Sequence, residues 1–274
     1  MNVQKKWLTL PGLSVLFVFA VAPLFIMLFY SFQSDNPVME FTLENYKHFF
    51  EKSFYLTLTW NTIKNSFYVT LISLAISYPL AYIMAKKLKG ARNIILVLII
   101  IPFFTNQLVR VYSWLIFLQD GGIFENLLSS LGIVHGVLGI LYTRTAVIIG
   151  LVHAFFPYMV ITIYLALEKL DNALLEASAS LGASGFETFR KITLPMSWPG
   201  IVSGFLLVFV PCLGTFVEPR ILGGVNGTVI GTVIEDQFFE IYGWNFGAAI
   251  AFILLAMVLV SIQIFTRLGK ERAV

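Results

Sequence analysis

Glu176-Ala177-Ser178-Ala179-Ser180-Leu181-Gly182, nine further residues and then Ile192-Thr193-Leu194-Pro195 form a polar island in an otherwise apolar chain. Leu174, Ala177, Ser178 and Leu181 recur at helical spacing, and Gly182 is a natural left-handed stop. Ser184 and Glu187 then make a capping box, the hydroxyl taking the Glu187 N–H while the carboxylate reaches back to that of Ser184. Pro195 is expected to end this second helix. A helix, a glycine elbow and a helix, with small residues from Ala177 to Ser180, let a partner approach closely. That is docking geometry and not catalytic geometry. Spacing alone leaves an ordinary surface hairpin equally open, so the rest of the chain decides.

Of 274 residues, 58% are hydrophobic and 12% charged, and the mean hydropathy is +0.85. A soluble domain carries roughly 25% charged residues. The apolar residues fall into six blocks, each long enough at about 1.5 Å per residue to cross a hydrocarbon core about 30 Å thick. The expected fold is therefore an all-α integral membrane domain, one unit over 1–274, with six spans near 7–32, 61–85, 93–118, 144–167, 198–219 and 244–266. The polar hairpin occupies about 171–195, between the fourth and fifth spans. The first block is too long for a signal-peptide core and lacks a clear cleavage site after it, so it is read as retained, with the mature chain beginning near Met1. Cys212, the single cysteine, lies in an apolar block, which excludes an intrachain disulfide and a cysteine-based metal site.

Orientation follows from charge. Lys86-Lys87-Leu88-Lys89-Gly90-Ala91-Arg92 places four positive charges in seven residues, which makes this turn cytoplasmic. Counting crossings from it puts both termini and the hairpin in the cytoplasm too. Twelve of the eighteen basic residues then lie inside, and ten of the fifteen acidic residues outside. Acidic residues contribute little to orientation, so the outer acidity needs another reason.

The usual catalytic constellations are missing. There is no GxxxxGK[ST] phosphate loop and no HExxH, and His48, His135 and His153 are far apart in sequence. An ATP-driven machine would need its ATPase on another chain. Asn226-Gly227-Thr228 matches a glycosylation sequon but reads better as a turn. The fifth block ends in Pro211-Cys212-Leu213-Gly214-Thr215-Phe216-Val217-Glu218-Pro219-Arg220, followed by Gly223, Gly224 and Gly227, which suggests broken helix tolerated only against protein or a water-filled path. Glu218 can be a bundle-facing functional carboxylate or the structural partner of Arg220. Farther on, Glu235, Asp236 and Glu240 are interleaved with Phe239, Tyr242 and Trp244, and Tyr112, Trp114 and Asp120 repeat the mixture at the end of the third span. Carboxylates among aromatics suit an organic cation through charge pairing and cation–π attraction. The competing reading is the interfacial aromatic belt of any membrane protein.

Glu176-Ala177, Gly182 and Ile192-x-Leu194-Pro195 resemble the EAA loop of binding-protein-dependent ABC importer permeases, the type I importer fold, with Ser178 in place of the usual alanine. The run from Ile101 to Trp114, Asp120-Gly121-Gly122, and Phe216-Val217-Glu218-Pro219-x-Ile221-Leu222-Gly223-Gly224 look like the spermidine/putrescine (PotB-like) branch of that family. Iron, sulfate and molybdate permeases share parts of the pattern. The resemblance implies a multi-pass bacterial inner-membrane subunit that pairs with a second homologous permease, two cytoplasmic ATPases and a periplasmic polyamine-binding protein. It implies no cofactor in this chain, since ATP and Mg would be held by the ATPases. Glu176, Ala177, Ser178, Gly182, Ile192, Leu194 and Pro195 would couple to the ATPase. Tyr112, Trp114, Asp120, Glu218, Glu235, Asp236, Glu240, Tyr242 and Trp244 would lie along the substrate path. The outer acidity favours a polycation over ferric iron or an inorganic anion. A secondary transporter or channel could use the same spans but has no use for an ATPase-docking hairpin, and an intramembrane enzyme lacks its paired catalytic residues.

Overall fold

The computed structural model describes residues 12, 14–34, 40–88 and 90–271, with side chains to 269. Helices account for nearly all of them: α1 (Ser14–Ser31), α2 (Glu44–Glu51), α3 (Ser53–Lys86), α4 (Arg92–Phe104, its last turn 3-10), α5 (Gln107–Leu118), α6 (Ile123–Ser130), α7 (Arg144–Glu168), α8 (Asn172–Ser180), α9 (Gly185–Gly214), α10 (Val217–Gly223), α11 (Ile230–Phe239) and α12 (Trp244–Glu271). Among the described residues, five helices are long and apolar enough to cross a membrane, and α4 with the α5–α6 stretch supplies a sixth span if that bent pair counts as one. The chain divides into two compact units, 1–57 with 233–256, and 58–232 with 257–274.

In the first unit, α2 is fastened to the end of α1. The Asn45 amide donates to the carbonyls of Ser31 (3.2 Å) and Gln33 (2.9 Å), and the Tyr46 hydroxyl donates to Ser31 Oγ at 2.8 Å. Phe49 stacks on Tyr55, while His48 and Tyr55 both meet the edge or face of Phe246. These contacts hold α2 against the end of α1 and against Phe246.

In the second unit the core lies between α7 and α9. Apolar side chains gain no hydrophobic drive from association in lipid, so close approach through small residues has to carry it. A side chain at Gly200 would strike Ala166 and the Thr162 carbonyl, and one at Gly204 would strike Thr162 and Met159. Along α3, Thr59, Thr62, Ser66, Thr70, Ser73 and Ser77 recur every three or four residues and are all buried. Their short side chains let α3 pack against its neighbours: Ser77 donates to the Phe156 carbonyl of α7, and the Tyr78 hydroxyl shares a hydrogen bond with Ser197 of α9. Trp198 Nε1 donates to the Leu268 carbonyl and Phe205 lies 4.1 Å from Phe265, which ties the end of α12 to α9.

The spans depart from the sequence reading in specific places. The start expected at residue 7 lies outside the described residues. The second span begins at Ser53 instead of near 61, and Pro79 does not break it. The third is not continuous to 118: α4 and the α5–α6 stretch meet at 97°. Pro102 withdraws a backbone donor in the last turn of α4, and Asn106 starts a new helix by accepting the Leu108 N–H. The fifth ends at Gly214, not 219, because Thr215 is extended (ψ 146°). Pro195 ends nothing, for the helix runs unbroken from Gly185 to Gly214. Residues Phe189–Thr193 form a π turn in which the Leu194 N–H bonds the Phe189 carbonyl, so the proline enters in the first turn of an α segment, where its missing donor costs least.

Candidate functional site

The hairpin is built and braced from its own side chains. Asp171 caps α8 by accepting the Ala173 N–H at 2.9 Å. Gly182 stands at φ +80°, a conformation open to glycine and strained for a side chain, and the Ala183 N–H closes onto the Ser178 carbonyl. The capping box forms as expected: Ser184 Oγ accepts the Glu187 N–H, the Glu187 carboxylate accepts the Ser184 N–H at 3.0 Å, and Lys191 pairs with the same carboxylate at 3.3 Å. Across the elbow, Ser178 Oγ and Thr188 Oγ1 share a hydrogen bond of 2.8 Å. Ser178 is buried there, so the residue that departs from the usual alanine braces the hairpin from within.

What the hairpin presents outward is Glu176, Ala177, Leu181 and Phe186, all exposed; Leu181 is 89% and Phe186 71% accessible, a density of apolar surface that a solvated loop avoids. Ile192 and Leu194 are half-buried and Pro195 is exposed. The foot of the hairpin is anchored to other elements. Lys86 Nζ donates to the Leu170 carbonyl and to Asn172, and Arg92 pairs with Glu168 at 2.8 Å, a carboxylate that also accepts the Tyr164 hydroxyl. A cavity of about 450 Å³ lies among these groups.

Glu218 is 1% exposed. Its two oxygens are taken by Gln107 Nε2 (3.0 Å) and Thr215 Oγ1 (2.7 Å), so the carboxylate joins the restart of the third span to the break after α9. Arg220 itself is exposed. Neither Gln107 nor Thr215 was singled out by the sequence reading; the signal available was a lone amide directly after the helix-starting Asn106.

The other path candidates are scattered. Tyr112 and Trp114, two residues apart, point to different sides of α5, and Asp120 sits in the turn beyond it. Trp114 faces Phe117 and His153, and with Arg110 they line an apolar groove of about 400 Å³. Arg110, which the sequence reading passed over, donates to the Pro102 carbonyl and lies over the Phe103 ring. In the first unit, Glu235 and Asp236 are half-buried on α11, Glu240 follows the helix end with its N–H on the Asp236 carbonyl, and Tyr242 takes φ +57° in the turn to α12. Trp244 packs on Tyr30 and Phe238.

Residues 77–272, a stretch that includes the whole hairpin and both helix breaks, match the family described as the binding-protein-dependent transport system inner membrane component. The chain belongs to this family. The inner-membrane component is 38% identical over 261 residues to the spermidine/putrescine transport system permease protein PotB of Haemophilus influenzae, covering 94% of this chain and 91% of that one. With PotB of Escherichia coli it shares 37% identity over 264 residues, 96% of each chain. Its fold matches the bacterial alginate ABC transporter solved in complex with an alginate pentasaccharide-bound periplasmic protein: TM-score 0.82, 18% identity, 99% of this chain and 97% of that chain. This component is accordingly a multi-pass protein of the bacterial inner membrane with the ABC importer permease fold.

Proposed function

We propose that this chain is the membrane-spanning permease subunit of an ATP-driven importer that carries spermidine or putrescine from a periplasmic binding protein to the cytoplasm by alternating access. The observation that carries the mechanical half is the hairpin: a self-braced, outward-presenting turn whose second arm is the same helix as a span. Glu176 and the exposed Leu181 and Phe186 form the docking face for a cytoplasmic ATPase, which holds ATP and Mg. Two such ATPases and a second homologous permease complete the machine. This chain transmits motion and hydrolyses nothing.

The substrate half rests on PotB, 37–38% identical over nearly its full length. A protonated polyamine needs acceptors and π faces in place of lost water, and Glu235, Asp236, Glu240, Tyr242 and Trp244 supply both types. Arg110 beside His153 in the apolar groove favours a second reading, an inorganic anion as cargo. Uptake of labelled spermidine into cells expressing the chain with its partner subunits, with and without Glu176→Ala, tests the proposal. Uptake that disappears in the variant while the protein remains in the membrane supports both halves. Unaltered uptake in the variant removes the hairpin as coupler, and spermidine uptake in neither, with uptake of a labelled inorganic anion in its place, favours the second reading.

A further inference from the structure

The first unit contains a cavity of about 380 Å³ lined by Ser34, Glu44, Asn45, His48, Gln237, Ile241, Gly243 and Phe246. We infer that it is a binding site for a primary alkylammonium group, with Glu44 as counter-ion and the side-chain oxygens of Asn45 and Gln237 as acceptors. The inference rests on the polyamine reading for its biological ligand, but its chemistry stands on the residues.

The lining is biased toward accepting hydrogen bonds. Both Asn45 amide hydrogens are committed to the Ser31 and Gln33 carbonyls, so this side chain has only its oxygen left to offer. Glu44 accepts only, and its carboxylate makes no ion pair among the described residues. Gln237 is 9% exposed, and its amide, which makes no hydrogen bond among the described residues, lines the cavity and is free to accept one from an occupant. Gly243 keeps that amide in place: a side chain there would come within 2.5 Å of Gln237 Oε1. Among the described residues no lysine or arginine lines the space, which disfavours an anion. One wall is apolar, the buried Phe246 with His48 edge-on to it at 4.9 Å, a surface suited to methylene groups next to the charged end. The volume lies within the range of about 300–1,000 Å³ typical of small-molecule pockets. An ammonium with three donors and a short alkyl stem matches all of these features, whereas a hydrated metal ion makes no use of the Phe246 wall.

Cys212, the one native cysteine of this chain, is buried, so within this subunit a cysteine placed on the rim reports alone. In the intact solubilised importer, Ile241→Cys, at a position 61% exposed, is labelled with N-ethylmaleimide in the presence of putrescine, n-butylamine, 1-butanol, K⁺ or Mg²⁺. Putrescine and n-butylamine at about nine times their dissociation constants are expected to slow labelling about tenfold, and the other three to leave it unchanged. Adding Glu44→Gln, an exposed and conservative change, should raise the half-protecting amine concentration about tenfold. Labelling indifferent to amines, or slowed equally by butanol or by the metal ions, overturns the site. Slowing that is present without amines and disappears when the binding protein is removed makes a protein lysine the occupant and overturns it as well. Spermidine uptake measured on the same preparations separates the two readings. Protection without uptake keeps the site and removes the polyamine importer, and uptake without protection does the reverse.

Discussion

Gln107 Nε2 lies 3.0 Å from Glu218 Oε1, and through that bond the first residue of α5 holds the first turn of α10. Each partner stands just beyond a helix break, at Thr105–Asn106 and at Thr215–Phe216. Two interrupted spans are thus fixed to each other by one buried carboxylate, whose second oxygen is occupied by Thr215. Gln107→Leu removes a hydrogen bond to a charged group and should cost about 1.5–3 kcal/mol. A lower thermal midpoint of the solubilised complex, with Glu218→Gln less affected than Gln107→Leu, is the expected result.

Amide substitution separates charge from shape along the proposed path. Asp236→Asn and Glu240→Gln, on that path, and Glu218→Gln, through its tie to Gln107 and Thr215, are each expected to lower polyamine uptake while co-purification with the ATPase is kept. Normal uptake in all three would remove carboxylates from the substrate path.

Gly182→Val places a β-branched side chain at φ +80°, a strain of about 1–3 kcal/mol at the elbow. No atom lies within 4 Å of the added Cβ, so the effect is conformational and not steric. Transport should be abolished with the subunit still inserted; wild-type uptake would show that the elbow angle is not needed.

Ser178→Ala restores the residue usual in the EAA loop but deletes the hydroxyl bond to Thr188. A loss of about 1 kcal/mol is expected, and Thr188→Val should cost about the same, with the double change scarcely worse than either. Protease susceptibility of the hairpin in membrane vesicles reads this out, and strict additivity would mean that the two hydroxyls act separately.

Gly204→Leu forces a side chain between Thr162 and Met159. An overpacking cost of about 1–3 kcal/mol should lower the yield of folded subunit, whereas Gly214→Ala, in open space, should leave it unchanged. Equal yields for both would contradict the close α7–α9 approach.

The membrane class and the hairpin were legible because each rests on local signals: long apolar blocks, Gly182, and the Ser184/Glu187 capping pair. The third span was misread because Pro102 and Asn106 sit inside one apolar block, and hydropathy is blind to a bend. Pro195 was misread for a different reason. A proline stops a helix whose register it interrupts, but the π turn at Phe189–Thr193 supplies the extra residue that absorbs it. Glu218 was picked out as an acid in an apolar setting, yet its partners were not, since Gln107 lies over a hundred residues away and only the fold brings the two together.

The unbroken helix from Gly185 to Gly214 has a consequence for how force travels. Thirty residues make a rod about 45 Å long, so a swing of about 10° at the hairpin moves the far end by about 8 Å. A hinge at Pro195 would have dissipated that stroke at the membrane surface. Without one, a push that reaches the start of α9 across the Ser178–Thr188 bond is carried to the break at Thr215, beside the Glu218 tie.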